Sequence, residues 1–139
     1  MNQSVQAATQ FKKVLLIDDD EIDRFISNRI IETKVLSEDI VSKSSVAEAL
    51  DYLKSLCNNP GQLPDVIFLD FSLPALDGLD FLDEFRFLCD CIKNHCKIIL
   101  LTSSLGTDLK LISSMRNNPL IEKILSKPLT PQTLEQVWA

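Results

Sequence analysis

No apolar run in this sequence approaches the roughly 18 residues that a membrane-spanning helix requires, so a helical span is not expected. Basic residues are also scarce, with 14 Lys and Arg against 20 Asp and Glu and a formal net charge of −6. Nucleic acid and anionic membrane surfaces are therefore poor partners, because polyphosphate binding needs a basic face that releases counterions. The opening stretch MNQSVQAATQF lacks the basic start and apolar core of a secretory signal, which gives a cytoplasmic protein as the expectation. Internal repeats, low-complexity tracts and linkers are missing, and so is the Gly-rich loop ending in Lys-Ser/Thr that cradles nucleotide phosphates.

Cysteine is present but badly spaced. Cys57, Cys89, Cys91 and Cys96, with His95 beside the last, could suggest a metal or disulfides, yet Cys-x-Cys is not the Cys-x-x-Cys pairing of structural zinc sites. Packed or incidental thiols are the expectation. At 139 residues and 45% hydrophobic content the chain has room for one domain with a proper core. Residues 1–11 read as a flexible lead-in and residues 12–139 as the domain.

Five short apolar segments alternate with longer amphipathic ones. VLLI (14–17), DIVSKS (39–44), DVIFL (65–69), KIILL (97–101) and IEKIL (121–125) are the length of strands. Several are apolar without alternation, as suits strands covered on both faces. Helical spacing predicts one helix with a core face of Ile22, Phe25, Ile26, Ile30 and Ile31 and a second with Val46, Ala49, Leu50, Leu53 and Leu56. A third carries Phe81, Leu82, Phe85, Leu88 and Cys89, and a fourth carries the core stripe Leu109, Ile112 and Met115. The last opens with Thr130 as N-cap and Pro131 at the first helical position. Strands alternating with helices predict an α/β doubly wound parallel sheet with helices on both faces.

In such a sheet, functional groups gather beyond the carboxyl ends of the strands. Asp18, Asp19 and Asp20 follow the first strand, Asp70 the third, Thr102 and Ser103 the fourth, and Lys127 the fifth. The flavodoxin-like strand order 2-1-3-4-5 would let Asp18, Asp19, Asp70 and Thr102 converge, with Lys127 reaching in. Clustered carboxylates repel, so a cation is needed, and an all-oxygen set suits Mg²⁺. Lys127 offers a charge to a phosphoryl oxygen and Thr102 a hydroxyl donor. So equipped, Asp70 is a candidate to attack phosphorus and become an aspartyl phosphate, with the small Ser72 and Gly78 leaving room for the donor.

Four stretches in this order, IDDD, FLDFSLPALDG, LLTSS and SKP, resemble the receiver domains of two-component response regulators over nearly the whole chain. The resemblance implies a phosphoprotein that accepts a phosphoryl group on Asp70 from a sensor histidine kinase or a histidine phosphotransfer protein. It implies Asp19 and Asp70 as ligands of Mg²⁺, or of Mn²⁺ in its place, with the Ser72 backbone carbonyl completing the set and Asp18 in the acid pocket acting through water. Thr102 would be the hydroxyl switch and Lys127 the phosphoryl salt bridge, its bond to Pro128 being often cis in the family. Many members carry Tyr or Phe where this chain has Ile124, which leaves Thr102 and the loop up to Asp108 as the expected signal route. The resemblance further implies a stand-alone receiver that modifies only itself and is not an enzyme with free substrates. A phosphorylation-dependent dimer and an unknown downstream protein remain open partners.

Three other readings compete. A haloacid-dehalogenase-type phosphatase needs a second aspartate two residues after its nucleophile, where this chain has Ser72. A nucleotide or flavin binder would place its phosphate loop after the first strand, where three acids repel phosphate. A degenerate receiver serving only as a docking module would have lost one of the acids or the lysine, and all are present.

Overall fold

The computed structural model describes residues 12–33, 39–71, 75–102 and 109–135. Five strands, β1 (Lys13–Ile17), β2 (Asp39–Lys43), β3 (Val66–Asp70), β4 (Lys97–Thr102) and β5 (Ile121–Ser126), form one sheet. They pair in parallel in the order β2-β1-β3-β4-β5, the flavodoxin-like order expected. The helices are α1 (Glu21–Thr33), α2 (Val46–Ser55), α3 (Ala75–Phe85), α4 (Asp90–His95), α5 (Leu109–Arg116) and α6 (Pro131–Glu135), with a 3₁₀ turn at Pro60–Gln62.

The continuous apolar strands are two-faced because successive side chains alternate across the sheet. Leu15, Ile17, Ile67, Leu69, Ile98 and Leu100 join one core with Leu53 of α2, Phe81 and Phe85 of α3, Ile92 of α4 and Met115 of α5. Val14, Leu16, Val66, Phe68, Ile99 and Leu101 join a second with Ile31 of α1 and Leu134 of α6. A parallel sheet must be covered on both sides, and the chain divides its helices accordingly.

Local signals agree with most element starts. The Ser45 hydroxyl accepts from the Glu48 amide to cap α2, and the Thr130 hydroxyl accepts from the Thr133 amide ahead of Pro131. Two expectations are corrected. The third helix does not run on to Cys89: it ends at Phe85, a turn places Leu88 in the core and Phe87 outside, and α4 starts after Cys89. Two short helices bury both Leu88 and Ile92 and still return the chain to the sheet, where the Lys97 amide bonds the Asp65 carbonyl.

The second correction concerns α1. Of its expected core face only Ile31 is buried and Ile30 half-buried, whereas Ile22, Phe25 and Ile26 are exposed at 71%, 64% and 48%. Polar anchors set its rotation. The Asp20 carboxylate accepts from the amides of Ile22 and Asp23, Arg24 Nη1 donates to the Asp18 carbonyl at 2.8 Å, and Asp23 meets Lys127. These contacts turn Asp23, Arg24 and the buried Ser27 toward the protein and the apolar trio toward solvent.

Gly78 also differs from expectation. A Cβ there would lie 2.6 Å from the Phe71 ring, so the missing side chain admits that ring into the core and not an incoming ligand. Ser72, Leu109 and Ile112 were expected in the site or the core: Ser72 lies outside the described residues, as do the side chains of the other two. The loop 103–108 and the chain end after Glu135 are likewise outside them.

Candidate functional site

The site is built at the carboxyl edge by strand parity. Asp18 continues the alternation of Val14 and Leu16, Asp70 that of Val66 and Phe68, and Lys127 that of Leu125, so all three fall on the α1 side of the sheet. β1 and β3 are adjacent, which brings Asp18 and Asp70 side by side. Oxygens of Asp18, Asp19 and Asp70 lie within 4.8 Å of one another, with Asp18 and Asp70 buried and Asp19 exposed.

Lys127 stands over this cluster. Its Nζ is 3.2 Å from Asp70 Oδ2, 3.6 Å from Asp18 Oδ2 and 2.5 Å from Asp23 Oδ2. Burial acts against its charge, but the carboxylates of Asp23, Asp70 and Asp18 outweigh it and raise its pKa. The loops that present these groups are tied together: the Lys127 amide bonds the Thr102 carbonyl at 2.7 Å and the Phe71 amide bonds the Leu101 carbonyl at 2.7 Å. The Lys127-Pro128 bond is cis.

Thr102 sits at the end of β4, but its parity follows Ile98 and Leu100 on the opposite face. Its hydroxyl donates to the Leu125 carbonyl at 3.5 Å and not to Asp70. Ile124, at the position of the missing aromatic, packs half-buried against the first core. Asp23 was not foreseen as part of the site. Its signal was its place three residues after the capping Asp20, in the first turn of the helix that follows the acid run.

Burial pushes the Asp18 carboxyl up from 3.8 to about 7; Asp70 adds to the rise, while the Asp20 amide and Lys127 oppose it. Between those two values the folded chain holds a proton that the unfolded chain has released, so stability falls as pH rises. In chelator the melting temperature is expected to drop from pH 5 to pH 8, by an amount corresponding to a few kcal/mol at most. Asp18→Asn should flatten that slope, and an unchanged slope in the variant would assign it elsewhere.

The donor set fits a hard divalent cation. It offers carboxylate oxygens without imidazole or thiolate among the described residues, and the buried Asp18 Oδ2, with no hydrogen-bond partner among them, lies 3.6 Å from Lys127 Nζ. The sheet order and this gathering of acids and lysine at its carboxyl edge define a doubly wound α/β module of the signalling-receiver class. The chain belongs to the response regulator receiver domain family, whose model matches residues 14–139.

Solved relatives agree in shape. A two-component response regulator from Cytophaga hutchinsonii is 30% identical, with a TM-score of 0.81 over 93% of this chain and 95% of that one. A response regulator receiver protein from Dyadobacter fermentans superposes with a TM-score of 0.77 over 91% and 94% at 24% identity, a likeness of fold. Among curated proteins, a protein-glutamate methylesterase/protein-glutamine glutaminase of Chromohalobacter salexigens is 34% identical over 72 residues. That match spans 52% of this chain and only 19% of the relative's length. Among the described residues no helix is long and apolar enough to cross a membrane.

Proposed function

We propose that this receiver takes a phosphoryl group onto Asp70 from a phosphohistidine of a sensor kinase or phosphotransfer protein. The observation that carries the reading is Lys127 Nζ at 3.2 Å from a buried Asp70 that shares its site with two further carboxylates. An Asp70 carboxylate oxygen attacks phosphorus as the bond from phosphorus to the imidazole nitrogen breaks, and the imidazole leaves with the electron pair. Lys127 pairs with a phosphoryl oxygen, and β3 holds the nucleophile in a fixed direction. Asp19, Asp70 and the Ser72 carbonyl would hold Mg²⁺ or Mn²⁺, with Asp18 acting through water, and the ion would neutralise charge on the transferring group.

Thr102 supplies the second state. Its weak 3.5 Å bond to Leu125 is readily exchanged for one to a phosphoryl oxygen, which would repack the 103–108 loop and shift a two-state equilibrium read by a protein partner. The exposed Ile22, Phe25 and Ile26 adjoin Asp23 and so flank the site, where a phosphodonor protein would rest its own apolar face. In this reading the chain acts in the cytoplasm, modifies and slowly dephosphorylates only itself, and turns over no free substrate.

The test is intact mass after incubation with acetyl phosphate, with and without Mg²⁺. Gain of one phosphoryl group only with the metal is expected. No gain under any condition would favour a docking module that works without phosphorylation.

A further inference from the structure

The thiols expected to be incidental are not scattered. Cys57 lies just past α2 and Cys89 just before α4, yet their sulfurs are 2.6 Å apart, and Cys91 Sγ is 3.1 Å from Cys89 Sγ. Cys91 also donates to the Cys57 carbonyl at 3.4 Å. The backbone pins both sides. The Cys57 amide bonds the Lys54 carbonyl, and the Cys89 carbonyl accepts from the amides of Ile92 and Lys93 at 3.0 and 3.2 Å. All three cysteines are half-buried, so small reagents can reach them, whereas Cys96 is buried at 5% exposure.

We propose that Cys57, Cys89 and Cys91 form an oxidisable thiol site in which hydrogen peroxide drives a disulfide between Cys57 and Cys89. The Cys89 thiolate attacks a peroxide oxygen, the O–O bond breaks, and protonation of the departing oxygen releases water to leave a sulfenic acid. The Cys57 sulfur then attacks the Cys89 sulfur, the S–O bond breaks, and the hydroxyl leaves as a second water with the Cys57 proton. The two sulfurs lose two electrons and the peroxide gains them. Cys91 stands beside Cys89 as the thiol that can reopen the bond by exchange.

Charge distribution supports Cys89 as the attacker. Hydrogen bonds from Cys57 and Cys91 lower the pKa of its thiol, while the same contact with Cys89 raises that of Cys57 to about 11. A bound metal ion is the poorer fit. Metal–sulfur bonds of about 2.3 Å hold thiolates roughly 3.8 Å apart, so the cluster would have to open. No imidazole or carboxylate joins the three among the described residues, and His95 is engaged with Asp65 at 2.7 Å. Both cysteines precede the amino ends of strands, β3 and β4, so the site lies across the sheet from Asp70 and its chemistry is separable from phosphoryl transfer.

The experiment is peroxide titration of the reduced full chain in chelator, followed by alkylation, intact mass and peptide mapping. Cleavage before Asp90 separates Cys89 from Cys91, so the partner of Cys57 is identified directly in the wild-type chain. Two of the four cysteines should escape alkylation, with a Cys57–Cys89 cross-link that a dithiol reverses. With both neighbouring thiols removed, the Cys57→Ser, Cys91→Ser double variant should stop at the sulfenic acid, and Cys96→Ser should behave as wild type. Four alkylated thiols after peroxide, a cross-link through Cys96, or oxygen addition at Cys89 without a cross-link would each overturn the proposal. So would zinc retained in native mass spectra without chelator together with protection of all three thiols from peroxide.

Discussion

Asp70→Asn should lose phosphoryl uptake by at least about 100-fold, because the amide keeps the shape of the side chain and has no anionic oxygen to attack phosphorus. The fold should survive. Asp70 is 1% exposed beside Asp18, and its carboxylate contributes to raising the pKa of Asp18. Removing one charge leaves Lys127 still paired with Asp18 and Asp23, and lowers the pKa of Asp18 toward its ordinary range. The variant should therefore melt no lower than wild type in chelator at pH 8. Intact mass with acetyl phosphate and a thermal melt read the two effects separately; substantial labelling of the variant would put the acceptor elsewhere.

Lys127→Ala should produce the largest loss of stability at the site. One cation serves three carboxylates, of which Asp18 and Asp70 are buried, and deleting it leaves those two facing each other. Loss of one partner of a buried ion pair costs about 3 kcal/mol or more. Asp23 is half-exposed and contributes little to that figure, since water screens it. The loss should shrink as pH falls. Without Lys127 the Asp18 carboxyl titrates higher still, and once protonated it no longer repels Asp70. Urea unfolding in chelator at pH 8 and pH 5.5 measures this, and an equal loss at both values would show that Lys127 acts through packing. Divalent binding should persist in the variant, because every proposed oxygen ligand remains. The modified-state conformation should be lost, which amide spectra around Thr102 would report.

The three central strands β1, β3 and β4 were legible because their apolar runs are continuous, as strands buried on both faces require, while the edge strands β2 and β5 were legible by their length and their place between helical patterns. The two cores are the same residues sorted by parity, Leu15 and Ile17 to one side and Val14 and Leu16 to the other. Asp70 was legible because an acid directly after such a run needs a reason. Helix spacing was less informative for α1. Its period is real, but periodicity marks a stripe and does not say which stripe faces inward. The anchors on Asp18, Asp20 and Lys127 chose the stripe containing Ser27 and Ile31 over the more apolar one.

The thiols show the same limit from the other direction. Cys57 and Cys89 are 32 residues apart, and no spacing rule joins them; the packing of α2 against α3 does. The break between α3 and α4 carries no Gly or Pro to announce it, because it serves the burial of Leu88 and Ile92 together.

By itself the sequence determined the α/β class, the strand segments, the cap of α6 and the identity of the charged groups, since these rest on local pattern and on residue chemistry. Tertiary structure alone decided what touches Lys127. A register shift between Ile98 and Ile99 places Thr102 opposite Ser126, so Lys127 follows directly at the mouth of the site. The rotation of α1 then adds Asp23 to its partners. The first depends on how two strands pair across an intervening helix, and the second on a contact between residues 104 apart; a periodic pattern carries no record of what it will meet over either separation.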